Sequence, residues 1–244
     1  MAAAVSVPGQ GSEPSVLVSR CRLWDTARAT RQASLAMSDL SLRTYVFLDA
    51  LQPQLTGHIC STCRGFWPVP YDAALFIETA PGMAIHRLLD RALKSTKVHP
   101  ATIVVERAFG MVLLHQTDKG EVTSAGEAIL DHIGFALQDR LQPRIVTNQV
   151  IRAIEPDHAQ CVNKIRYGSM ITPGESLLIM ETDPAAYIAL AANEAEKAAN
   201  VKLLECRTFG AFGRLYMSGP EAEIDSAAAA ATASIEGLSG KQPS

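Results

Sequence analysis

Four short constellations in this 244-residue chain carry side chains that could do chemistry. The first is Glu106-Arg107-Ala108, an acid beside a guanidinium. Neighbours on an extended segment point to opposite faces, so a small backbone change swaps which of the two a passing solute meets. Arg offers a planar fork suited to phosphate. Taken alone, the pair reads as an ordinary solvated turn. The second is Cys60-Ser61-Thr62-Cys63, which has the spacing of half a zinc site or of a redox pair. No second such pair exists anywhere in the sequence, so packing or incidental thiols are the simpler reading. The third, Gly210-Ala211-Phe212-Gly213, is glycine-rich like a phosphate loop but lacks the Lys-Ser/Thr ending. The fourth is histidine: His86 and the pair Asp157-His158 have no nucleophile partner, and no HxH or HExxH spacing occurs. These residues predict no catalytic triad, no metal site and no cofactor.

The elements that position them come in two copies. Sliding the sequence by 103 residues places Pro53 on Pro156, Gly65 on Gly168, Pro70 on Pro173, Glu78-Thr79 on Glu181-Thr182 and Lys94 on Lys197. Ala108-Phe109-Gly110 falls on Ala211-Phe212-Gly213 at the same offset. Compositional coincidence would not align Pro, Gly, Glu and Phe together, so the chain is read as a duplication. The boundaries are a tail at 1–41, a first domain at 42–142 and a second at 143–240. The tail is rich in Ser, Ala, Gly and Pro and is expected to lack stable order by itself. Each copy reads as α+β. Ser176–Glu181 is a strand, with Asp183 as N-cap and Pro184 at the first helical position of a helix reaching about residue 199. The matching helix of the first copy sets Ile85, Leu88, Leu89, Ala92 and Leu93 on one stripe. Strand pairs at 102–107 and 111–116, and at 205–209 and 214–218, flank turns. Helices near 121–133 and 221–236 follow, with acids in the first turn and Gly134 or Gly237 just past the end. Residues 44–48, 145–151 and the Pro/Gly-rich stretches after them read as further strands. The sum is an antiparallel sheet with helices on one face in each copy.

Composition excludes several classes. A net charge of −3 leaves no basic excess for nucleic acid. No run approaches the length of a membrane span. The N-terminus has no basic segment leading into an apolar one, so no secretory signal is expected and the five cysteines read as reduced thiols.

The stretch Leu178–Gly237, with Glu181-Thr182 ending a strand, Glu196-Lys197-Ala198-Ala199-Asn200-Val201 closing a small-residue helix, then the Gly210–Gly213 loop and an Ala-rich helix, resembles the bacterial microcompartment (BMC) shell domain. About 35 residues of strand-like sequence precede this block in each copy. That order resembles the circularly permuted, tandem form of the domain. Arg43–Leu55, Pro81–Arg87 and Ile103–Gly110 are most similar to carboxysomal members of that form. The resemblance implies a non-enzymatic shell subunit, two permuted ferredoxin-like BMC domains per chain, and a homotrimeric pseudohexameric tile that can stack as two trimers. It implies a cytoplasmic location in the shell, beside neighbouring hexameric shell proteins. It implies a gated central pore passing phosphorylated metabolites such as ribulose bisphosphate and 3-phosphoglycerate. By the same resemblance Glu106, Arg107 and Ala108, with Phe209, Gly210 and Ala211 at their repeat positions, line the pore, and Lys94 and Lys197 lie on tile edges. As ordinary residues, those lysines would simply favour a helix C-terminus. The reading from a different class is a soluble trimeric sensor that binds a small anion in clefts between subunits.

Overall fold

The structure is a computed structural model and describes residues 40–242. The expectation for the tail at 1–41 therefore lies outside the described residues, apart from its last two, and Ser41 already opens the first strand. In order, the first copy holds β1 (Ser41–Leu48), α1 (Pro53–Thr62), β2 (Ala73–Ala80), α2 (Ile85–Ser95), β3 (His99–Glu106), β4 (Phe109–Gln116) and α3 (Lys119–Ile133). The second holds β5 (Arg144–Ile151), α4 (Pro156–Ile165), β6 (Ser176–Asp183), α5 (Ile188–Ala198), β7 (Lys202–Arg207), β8 (Gly213–Gly219) and α6 (Glu221–Glu236). Each copy forms an antiparallel four-stranded sheet, in the orders β1-β2-β4-β3 and β5-β6-β8-β7. Even the irregularities repeat: the register shifts at Leu42/Thr44 and Pro100/Thr102 recur at Ile145/Thr147 and Leu203/Glu205.

Strand alternation assigns the faces. Leu178, Met180, Leu215 and Met217 share one core with α5 and α6, whereas Leu177, Ile179 and Tyr216 face α4. Two helices per copy thus pack together on one face, as their apolar stripes predict. Helices α1 and α4 replace the strands expected in the Pro/Gly-rich stretches. Pro53 and Pro156 sit in the first turn of each helix, where a missing N–H costs nothing. Leu51, Leu55 and Ile59, all buried, are spaced as on one helical face, too few by themselves to exclude a strand.

Two local expectations are corrected. Asp183 ends β6 and does not cap a helix; a 3₁₀ turn, Ala185–Tyr187, intervenes before α5. Its carboxylate is held instead by Arg43 and Arg144. Leu93 does not join the buried stripe of α2, which consists of Ile85, Leu88 and Ala92.

The two copies share one core. Val46, Leu48, Leu55, Ile59 and Phe76 of the first pack continuously with Ala186, Ala189 and Ala192 of the second. Helix α1 also covers the free edge of β7. The Gln54 side chain donates to Val201 O and accepts from Leu203 N, and His58 Nε2 accepts from Cys206 N. Glu196 returns the favour by accepting from the N–H groups of Gln54 and Leu55, capping α1 in trans.

Candidate functional site

The β3–β4 connection is a two-residue turn, Arg107-Ala108, closed by the pairing of Glu106 with Phe109. The pair is therefore not on a plain extended segment. Arg107 takes φ +54°, a left-handed conformation that costs a side-chain-bearing residue about 1–2 kcal/mol. Its repeat partner Gly210 has φ +111°, where glycine bears no such cost. The first copy keeps a guanidinium at a position where the second uses glycine, and Arg107 is exposed. Positive φ at the first of two loop residues is what a tight hairpin turn of this kind requires, and glycine is its usual occupant.

The corresponding β7–β8 loop is longer, Thr208 to Phe212. The structure brings the two loops of one chain together: a methyl group built on Gly210 would lie 3.6 Å from Glu106 Oε2. Glu106, Arg107 and Ala108 thus share one corner of the molecule with Phe209, Gly210 and Ala211. Sequence reasoning missed the cations that flank them. Arg207 lies 5.0 Å over the Phe209 ring, Arg214 Nε donates to Glu181 Oε1 at 3.1 Å, and Arg43 lies 3.7 Å over the Phe109 ring.

The expected edge lysines occupy the last turns of α2 and α5. Lys94 is exposed and paired with Asp90 at 2.6 Å, while Lys197 reaches Glu194 at 2.8 Å and Asp49 at 3.6 Å. Cys60 and Cys63 are free; burial pushes both thiols up, and Cys60 Sγ donates to Pro68 O. Among the described residues no cluster of three His, Cys, Asp or Glu could hold a metal ion, and no helix is long and apolar enough to cross a membrane.

One surface is used on one copy and idle on the other. In α1, Leu55 and His58 are buried against the second copy; their repeat partners on α4, His158 and Cys161, are exposed. Strand β1 buries Val46 in the shared core, whereas Gln149 on β5 is exposed. The receiving side shows the same contrast. Ala186, Ala189 and Asn193 are buried under the first copy, and their partners Met83, His86 and Asp90 are exposed. One junction is made within the chain, and its two halves lie open at the chain's two ends. A head-to-tail surface of this kind generates a ring when the rotation closes.

Residues 42–139 match the family model described as the CsoS1D N-terminal domain, and residues 176–242 match the BMC domain. The carboxysome shell protein CsoS1D of Hydrogenovibrio crunogenus is 51% identical over 200 residues, spanning 82% of this chain and 98% of that protein. The chain belongs to the BMC shell-protein family, in its carboxysomal CsoS1D branch. Two solved BMC structures share the architecture. A fused permuted hexameric shell protein of the RMM microcompartment is 41% identical with a TM-score of 0.80, covering 82% of this chain and 99% of that one. A double-ringed trimeric shell protein of the same compartment is 36% identical with a TM-score of 0.81, covering 84% and 100%. The family is one of structural shell proteins, as the resemblance implied, and the two sheets with their helices are its tandem permuted domains.

Proposed function

We propose that three chains close into a six-lobed tile of the carboxysome shell, and that the 106–108 turn and the 209–211 loop surround its central opening. The observation that carries this reading is the pair of open half-junctions, which a neighbouring copy on each side would complete. Around the axis, three Glu106-Arg107 turns would alternate with three apolar, glycine-bearing loops. Arg107 and Glu106 of neighbouring chains close the opening in one state by charge-assisted hydrogen bonds. In the other state Arg107 faces a phosphorylated metabolite, such as ribulose bisphosphate or 3-phosphoglycerate. The relative described as a double-ringed trimer supports the ring and its stacking. Stacking would use Phe66, Trp67, Val69 and Tyr71 on one loop, with Ile165, Tyr167 and Met170 on its counterpart, all exposed. Family membership sets aside the soluble-sensor reading.

Electron microscopy of the purified protein tests the ring directly: six-lobed particles with threefold symmetry are expected, and a lone monomer ends the proposal. Thiol labelling gives a second readout. Cys161 stands where His58 is buried in the made junction, so it is expected to be protected in the ring and to label in the free chain. Cys206 is inert in both, because burial pushes its thiol far up. Equal labelling of Cys161 in ring and monomer would place α4 outside the junction.

The edge role proposed for Lys94 has its own test. Lys94→Ala is expected to abolish extended sheets while leaving the isolated tile intact, read by sedimentation and negative-stain imaging. Sheets that form normally would reduce Lys94 to a helix-end charge.

A further inference from the structure

We propose that Arg43 is a positioning residue for the pore turn, tying the conformation of Glu106-Arg107 to the junction between the two copies. The inference rests on the pore reading above and adds to it the device that holds the turn. Arg43 lies on β1 with its side chain only 13% exposed. Its Nε donates to Glu78 Oε1 at 2.8 Å, and its Nη2 donates to Asp183 Oδ1 at 3.2 Å in the second copy. Its Cζ lies over the Phe109 ring, 3.7 Å from the centroid. Phe109 is the first residue after the turn and pairs across it with Glu106. One guanidinium therefore touches the turn, the centre of its own sheet and the neighbouring domain.

The surroundings make this linkage stiff on one side and free on the other. Glu78 Oε2 accepts from Thr44 Oγ1 and from Ala186 N, so this carboxylate is anchored in both copies. Asp183 is held from the other direction by Arg144. Two acids and two arginines alternate along the chain of contacts, from buried Glu78 to exposed Arg144. The base of the hairpin packs backbone against backbone, since a methyl group on Gly110 would lie 2.0 Å from Gly82 O. The yielding part is the strained turn itself, between that base and its tip. The second copy lacks the device: Val146 stands at the position of Arg43, and Phe212, the partner of Phe109, belongs to a longer loop. The first copy's turn is the anchored one.

The test separates the stack from the ion pairs. Arg43→Lys keeps a charge for Glu78 but loses the planar face. Phe109→Leu keeps every ion pair and loses the ring. Each is expected to shift the open-to-closed ratio of the pore by about fivefold in the same direction, read from particle classes and from phosphate-ester flux through reconstituted tiles. Amide exchange at 107–110 is expected to rise in parallel. The combined variant should shift no further, because both changes remove one contact. A merely structural role would lower Tm or the trimer fraction and leave the ratio alone. If both single variants leave the ratio within about twofold of the parent while Glu106→Ala with Arg107→Ala moves it, Arg43 does not position the turn. If the double gate variant also changes nothing, the pore reading falls and this inference with it.

Discussion

Val146→Asp is expected to convert the trimer to monomers without unfolding the chain. Val146 is 37% exposed on β5, so an acid there meets water in the isolated subunit. In the ring its place corresponds to that of Arg43, beside the 3₁₀ turn that follows β2 of the next chain. The groups arriving there are unlike those around Arg43. Met83 replaces Ala186, Ala80 replaces Asp183, and Glu181 replaces Glu78. Arg214 is already paired with Glu181, and Arg144, on the same strand as Val146, with Asp183. An aspartate would thus be desolvated beside another acid, costing several kcal/mol for each junction. A cost of about 4 kcal/mol weakens association roughly a thousandfold at every junction. Met83, 67% exposed in the single chain, is the opposing residue, and Met83→Glu is expected to act in the same way. Analytical ultracentrifugation reads the mass, and circular dichroism confirms that the subunit stays folded. A trimer that survives both substitutions would show that the idle surfaces do not meet.

The second large effect concerns the gate. Replacing both Glu106 and Arg107 with Ala is expected to raise the open-to-closed ratio by about thirtyfold. In a wet pore each inter-chain contact is worth about 0–1 kcal/mol, and three of them together about 2 kcal/mol. Such weakness suits the proposed gate, since two states must lie within a few kcal/mol for a gate to reverse. The double variant also relieves nothing at φ +54°, because alanine carries the same steric cost there as arginine. Arg107→Gly separates the two contributions: it loses the charge and releases the strain, so the turn should become more mobile than in the double alanine variant. Arg107→Ala alone is expected to lower passage of phosphate esters relative to neutral solutes of similar size, because the cation that faces the anion is gone. Flux and pore shape unchanged in the double variant would reduce the pair to an ordinary turn.

Much of this was legible before any coordinates. The offset of 103 residues locates both sheets, since β1, β2 and β3 recur as β5, β6 and β7 at that spacing. The buried stripe of α2 and the αL stop at Gly134 follow from local spacing and from a residue that tolerates positive φ. The 106–108 turn stood out as an adjacent acid and base opposite phenylalanine and glycine in the other copy, but by itself it read as a solvated turn; the pore role proposed for it came from the family resemblance. Other features were not legible, for identifiable reasons. The ten-residue helices α1 and α4 are short, interrupted by Gly57 in one case and rich in polar residues in the other, so period alone did not separate them from strands. Asp183 read as a cap because the sequence cannot tell that Arg43, 140 positions earlier, claims its carboxylate.

The sequence by itself determined the duplicated module, the strands and helices within it, and the family to which the module belongs. Those features are set by spacing along the chain and by residues that repeat. Only the tertiary structure decided that α1 of the first copy seals the edge of β7 in the second while α4 leaves its own face idle. That distinction depends on which partner stands across a junction, and residues more than 140 positions apart meet only when the fold brings their surfaces together. Glu196 capping a helix of the other copy, and Arg43 bridging both copies to the hairpin that carries Glu106 and Arg107, are products of that meeting.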